Sequence, residues 1–256
     1  MPAKRGGITL IAWLGRSFAE CSKLSELIFF PSFCRLCSCL LKSPREKIVC
    51  NSCLQGIRPV RTSFCLGCGR FFDGQLEPHL CFDCLSKPPP YSYHRSAGRY
   101  RGPLKDIILL YKYGKFKLLG KHLARFVWQT LGQDKKLWDG VEIIMPVPLH
   151  KQRYKERGFN QAALVAKELA KLKGIEFEKR ALVKIKNTLP QTNLMAGPRA
   201  SNVKGAFSIK HKEKIEGKTV MLVDDVYTTG STLKECSLTL LAGGVKEVKA
   251  VTVAQA

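Results

Sequence analysis

The 256 residues are 45% hydrophobic and carry 43 Lys+Arg against 20 Asp+Glu, a formal net charge of +23. This apolar content is that of a globular protein and excludes a disordered chain. No stretch reaches the roughly 20 apolar residues that a membrane-spanning helix requires. The basic excess runs through the whole chain, so it points to polyanions attracted through their phosphate backbones without sequence preference, against a background of ordinary solvated surface charge.

Residues 1–15 combine a basic stub with a short apolar run, as a signal peptide would, but no small-residue cleavage site follows. Ile8, Ile11, Ala12, Gly15, Phe18 and Ala19 fall at helical spacing, which predicts an amphipathic N-terminal helical segment over residues 1–30.

Four Cys-x-x-Cys pairs come next: Cys34/Cys37, Cys50/Cys53, Cys65/Cys68 and Cys81/Cys84. Each cysteine of the first two pairs recurs 31 positions later, and the flanks recur with them, Ser32-Phe33-Cys34 as Ser63-Phe64-Cys65 and Cys53-Leu54 as Cys84-Leu85. The chain therefore contains an internal duplication. Two residues between cysteines let one tight turn aim both sulfurs at one ion, and two such turns complete a closed tetrahedral site of the structural zinc type. Gly67 and Gly69 flank Cys68 and suit a turn whose backbone N–H groups approach sulfur. The repeat predicts two Zn²⁺ ions, one per copy, without cross-bracing; a redox dithiol would call for a single motif in a βαβ setting. Each four-thiolate site carries −2, which lowers the formal charge by four, to +19. Such small units draw their folding energy from the metal. Cys39 offers a spare thiol beside Cys37, while Cys21 and Cys236 are expected to behave as small apolar side chains. A thiol-rich pattern of this kind suits a reducing compartment, hence a cytoplasmic protein, with any membrane proximity supplied by partners.

Ser86-Lys87-Pro88-Pro89-Pro90 closes the cysteine region as a stiff spacer. The predicted organisation is a helical segment at 1–30, a double zinc ribbon at 31–87 and a further domain at 88–256, with 88–93 as linker. Residues 103–131 read as helical. Strands are predicted at 141–146, 181–185, 218–223 and 246–253, and helices at 160–173 (with Leu164, Val165, Leu169 and Leu172 on one side) and 231–241. Such alternation implies an α/β fold with a mainly parallel sheet, whose ligands bind beyond the carboxyl ends of the strands.

Val220-Met221-Leu222-Val223-Asp224-Asp225-Val226-Tyr227-Thr228-Thr229-Gly230-Ser231-Thr232 is the most informative run. A buried strand ends in two carboxylates, expected to face solvent, and a hydroxyl- and glycine-rich turn then opens a helix. Backbone N–H groups at such a turn bind anions. Gly230 admits close approach, and Thr228, Thr229, Ser231 and Thr232 add hydroxyls. Carboxylates repel phosphate but accept hydrogen bonds from vicinal ribose hydroxyls, with a divalent metal close by. Helix capping would explain one or two of these residues, not the set.

This run resembles the PRPP-binding motif of type I phosphoribosyltransferases. Pro146-Val147-Pro148-Leu149, Glu156-Arg157-Gly158-Phe159-Asn160-Gln161, Gln191-Thr192, Arg199 and Asn202-Val203-Lys204-Gly205-Ala206-Phe207, with Phe30-Pro31 and the tandem ribbons, resemble the ComF (ComFC-type) family. The resemblance implies a phosphoribosyltransferase-like domain preceded by a small double zinc ribbon. By position, Asp224 and Asp225 would hold the ribose hydroxyls, and Thr228, Thr229, Gly230, Ser231 and Thr232 the 5-phosphate. Lys151 and Arg153, in the loop after strand 141–146, would face pyrophosphate, Arg157 would be a cationic clamp, and Mg²⁺ would accompany PRPP. Residues 253–256 depart from the family pattern in lacking a basic side chain.

Two function classes follow. One is handling of single-stranded DNA during uptake, in company with other DNA-uptake proteins and with PRPP as a structural or regulatory ligand. The other is phosphoribosyl transfer to a nitrogen acceptor in nucleotide salvage. No acceptor pocket is legible in the sequence, and the first class is favoured. Phe71, Phe72, Tyr91, Tyr93 and Tyr100 are available to stack bases or to pack a core.

Overall fold

A computed structural model describes residues 32–41, 48–60, 62–74, 77–187 and 203–256. The predicted N-terminal helix, Cys21, Phe30-Pro31, Gln191-Thr192, Arg199 and Asn202 lie outside these residues. The described residues fall into two compact units that divide between Gly56 and Ile57. The first holds the first cysteine repeat and the short helix α1 (Asn51–Gln55). The second holds the second repeat with α2 (Phe82–Ser86), followed by the sheet and its helices.

The central sheet is five-stranded and wholly parallel: β1 (Tyr93–Arg99), β2 (Ile143–Pro146), β3 (Glu176–Phe177), β6 (Thr219–Tyr227) and β7 (Glu247–Gln255), in the order β1-β7-β6-β2-β3. Between β1 and β2 run α3 (Gly102–Tyr113), α4 (Leu119–Leu131) and α5 (Lys135–Trp138). Between β2 and β3 run α6 (Lys151–Arg157) and α7 (Gln161–Lys173), and α8 (Ser231–Ala242) joins β6 to β7. Parallel strands need such crossovers, and burial on both faces explains the nearly unbroken apolar run of β6.

Register divides the core into two faces. Ile143, Met145, Val220, Leu222, Val248 and Ala250 point one way, into a cluster that also contains Leu233 and Leu240 of α8 and all four cysteines of the second repeat. Helices α4 and α7 pack against each other and cover the other face, α4 over β1 and β7, α7 over β2 and β6.

Several expectations need correction. The helical stretch 103–131 is two helices, broken after Tyr113 where Lys115 takes a left-handed φ of 59°. Residues 181–185 do not join the main sheet: β4 (Leu182–Lys184) pairs antiparallel with β5 (Phe207–Ile209) in a separate two-stranded sheet. The segment bearing Lys151 and Arg153 is not loop but α6, capped by His150, whose side chain accepts from Gln152 N. On α7, Val165 and Leu169 are buried but Leu172 is 42% exposed. Phe71, Tyr91 and Tyr93 are core residues, so these three rings pack protein and are not open to bases.

Candidate functional site

Chain order reverses between β2 and β6: β2 continues outward to β3, β6 the opposite way to β7. The crevice beyond the carboxyl ends of these two strands is where an open α/β sheet binds its ligand. It holds a cavity of about 550 Å³ lined by Asp224, Asp225, Thr228, Thr229, Gly230 and Thr232. The β2 rim is held in place by Val147 N, which donates to Val223 O (2.9 Å), and by Asn160 Nδ2, which donates to Val147 O (3.0 Å).

Asp224 and Asp225 are not freely solvated. Strand β6 continues through them to Tyr227, and the Asp225 side chain is only 13% exposed. Burial, and then the charge of Asp225, raise the Asp224 carboxyl from 3.8 to about 7, while the N–H of Asp225, 2.8 Å from Asp224 Oδ1, opposes the rise. Asp225 pairs with Lys112 Nζ at 2.8 Å. Burial pulls the Lys112 ammonium down, yet the Asp225 carboxylate more than reverses this, and its pKa ends raised. Lys112 comes from α3, far away in sequence, and no motif announces it.

The loop itself is tightly built. Gly230 has φ +76°, and a β-carbon there would collide with the Tyr227 phenol. Thr229 Oγ1 and Ser231 Oγ lie 2.9 Å apart, so these two hydroxyls engage each other. Gly230 leads directly into α8, so the helix's first N–H groups join the loop's donors, an arrangement suited to an anion.

Of the cations named from sequence, Arg153 and Arg157 line this crevice, and Lys151 lines a neighbouring cavity of about 680 Å³ on the far side of Pro148 and Leu149. Arg157 Nη1 donates to Gln161 Oε1 (3.1 Å), and its guanidinium lies 5.6 Å from the Tyr113 ring. Gln161 is 1% exposed and lines the crevice, and its Nε2 has no hydrogen-bond partner in the protein. A buried orphan donor costs about 1–3 kcal/mol unless a ligand satisfies it. The second cavity is lined by Lys151, Lys167, Lys179, Arg180, Lys184 and Lys210, with aromatic walls from Phe159 and Phe177.

Each cysteine repeat gathers its own four sulfurs: Cys34, Cys37, Cys50 and Cys53 in one group, and Cys65, Cys68, Cys81 and Cys84 in the other, the sulfurs of each group within 4.8 Å of one another. The duplication extends to individual hydrogen bonds. Cys34 N donates to Cys39 O as Cys65 N does to Arg70 O, both at 2.8 Å. Cys50 N donates to Cys34 Sγ (3.4 Å) as Cys81 N does to Cys65 Sγ (3.2 Å). Burial opposes ionisation of Cys34 and Cys65, but backbone N–H donors outweigh it and lower these thiols to about 6 and about 7. Thiolates held by N–H groups in closed tetrads are the donor set of structural zinc, and the residues fit that ion. Cys39 Sγ lies 3.3 Å from Cys37 Sγ and is pushed up to about 12 by that neighbour, which keeps it a thiol beside the tetrad. Cys236 is fully buried among apolar side chains, as expected.

The parallel sheet, its switch-point crevice and the carboxylate-to-hydroxyl loop define a phosphoribosyltransferase-type domain, and residues 155–256 match the family model described as phosphoribosyl transferase domain. The chain is 31% identical over 227 residues to the DNA utilization protein YhgH of Salmonella typhimurium, covering 87% of this chain and 96% of that one. It is 32% identical over 211 residues to competence protein F of Haemophilus influenzae (81% and 90% covered), and 28% identical over 213 residues to competence protein ComFC of Bacillus subtilis (80% and 82% covered). The chain belongs to the ComF family, whose phosphoribosyltransferase-type domain here follows two four-cysteine clusters. Among the described residues no helix is long and apolar enough to cross a membrane.

Proposed function

We propose that this protein binds PRPP, accompanied by Mg²⁺, in the β6–α8 loop and uses that domain in handling single-stranded DNA during DNA uptake. The observation that carries the first half is the placement of Asp224 and Asp225 directly before a loop of N–H and hydroxyl donors at the sheet's switch point. Carboxylates there accept from the ribose 2- and 3-hydroxyls while the loop takes the 5-phosphate. Arg153 and Arg157 supply positive charge in the same crevice, and the orphan Nε2 of Gln161 offers one more donor to a ligand oxygen.

The second half is supported by relatives named for competence and DNA utilization, and by the cation-lined cavity that shares Pro148, Leu149, Asn160 and Lys184 with the phosphate crevice. A backbone-driven interaction predicts log K falling linearly with log[salt], with a slope of roughly −0.7 per phosphate neutralised. Titration of two unrelated oligonucleotides across a salt series tests this: affinity that ignores salt, or that differs greatly between the sequences, defeats it.

Phosphoribosyl transfer to a nitrogen acceptor is the competing reading, favoured by the same loop. A PRPP binding and turnover assay, with and without single-stranded DNA, separates the two. Pyrophosphate release with a free base and no effect of DNA would replace the DNA-handling reading.

A further inference from the structure

The phosphate loop leans on the second cysteine ribbon through one side chain. Tyr227 ends β6 immediately before Thr228 and is buried. Its ring stacks on His94, centroids 4.5 Å apart and planes at 25°. Its hydroxyl lies 3.3 Å from that of Tyr91, and the ring belongs to the same buried cluster as Cys65, Cys68, Cys81 and Cys84. His94 is in turn tied to the ribbon: Nδ1 is 2.6 Å from Cys68 O, and Nε2 is 3.2 Å from Thr252 Oγ1. The imidazole has an N–H to give to that carbonyl. A carbonyl only accepts, which assigns that proton to Nδ1 and leaves Nε2 to accept from the Thr252 hydroxyl.

On its other side the Tyr227 phenol fills the space that a β-carbon at Gly230 would occupy. The ring is thus held between a metal-ligand turn and the loop's glycine. Five small polar residues have almost no apolar surface with which to fix themselves, and donors aimed at an anion lose affinity when they gain freedom.

From this geometry we infer that the second ribbon, Cys65/Cys68/Cys81/Cys84, positions the phosphate loop, with Tyr227 as the positioning residue that carries the ribbon's geometry to Thr228, Thr229 and Gly230. The ribbon then acts on the ligand site from behind its lining, through Tyr227, as well as being a metal-stabilised fold. The ligand half of the test rests on the PRPP reading above; the loop half does not.

The test uses the full chain, with hydrogen exchange of the peptide spanning residues 224–233, PRPP calorimetry and zinc content measured together. Tyr227→Val, which removes the ring while keeping strand propensity, should retain the wild-type zinc content. Its loop amides should exchange faster, and PRPP affinity should fall on the order of tenfold, the scale expected when positioned groups shift. Cys68→Ser should lose metal and show the same loop signature; if that variant does not fold, Tyr227→Val decides alone. Phe82→Ser, on the exposed side of the ribbon, should change none of the three. Unaltered loop exchange in Tyr227→Val overturns the inference. Failure of the wild type to bind PRPP would defeat the ligand reading instead, and the exchange result would still decide whether the ribbon sets the loop.

Discussion

Lys112 Nζ sits 2.8 Å from Asp225 Oδ1, two largely buried charges that meet in the lining of the switch-point crevice. The pair explains how adjacent carboxylates survive together in a buried position: the ammonium offsets one of them, and its neighbour Asp224 holds its proton to about 7. Replacing Lys112 by Met leaves Asp225 unpaired beside Asp224, at a cost of about 3 kcal/mol. Denaturant unfolding of Lys112→Met should show that loss, with Lys112→Arg recovering part of it. An unchanged midpoint would show that the pair contributes nothing.

The raised Asp224 carboxyl has two consequences with pH. A ribose hydroxyl donates best to the ionised form, so PRPP affinity should rise as pH climbs through about 7 and level off above it. Stability should move oppositely. Between 3.8 and about 7 the native state holds a proton that the unfolded chain has released, so stability contributed by this group is full below 3.8 and is lost as pH rises through about 7. Asp224→Asn should flatten both profiles. Calorimetry from pH 5.5 to 8.5 checks the first, and thermal melts over the same range check the second.

Replacing Asp224 and Asp225 together by Asn should weaken PRPP binding while the chain stays folded, as judged by circular dichroism. Unchanged affinity in a folded double variant removes the ribose assignment.

The two ribbons share a left-handed backbone position that the repeat brings into register, but fill it with different residues. Gly69 has φ +69°, and its counterpart in the first copy, Ser38, is held at φ +56°. A non-glycine residue in that region costs roughly 1–2 kcal/mol. Ser38→Gly should therefore tighten zinc retention by the first ribbon, read as slower release to a chelator. The reverse change, Gly69→Ser, meets the His94 backbone carbonyl as well as the strain and should speed release from the second ribbon.

The β6–α8 loop and the cysteine tetrads were legible because their pattern is local: turn, spacing and residue type all fall within a few positions. What could not be read was set by distance along the chain. No strand was legible in Tyr-His-Arg-Ser-Ala-Gly-Arg at 93–99, which becomes β1 because it pairs with β7 and because Thr252 satisfies His94 and Ser96. Lys112 looks like one more surface cation on a basic helix until α3 brings it to Asp225. The helical pattern of 103–131 hid its break, since Lys115 is not a residue that announces a left-handed turn. Residues 151–157 looked like loop because seven mostly charged residues carry no apolar period.

The seat of the second ribbon has a consequence for biosynthesis. Gln255 accepts from Phe71 N with Oε1 and reaches Gly69 O with Nε2, contacts that span 184 and 186 residues. A nascent chain can close the tetrad as soon as Cys84 clears the ribosome, but the strand that receives the ribbon is translated long afterwards. For that interval the ribbon's inner face, which the finished protein buries against the sheet, is exposed to solvent. Early metal capture would then protect the thiols during a wait imposed by the order of synthesis.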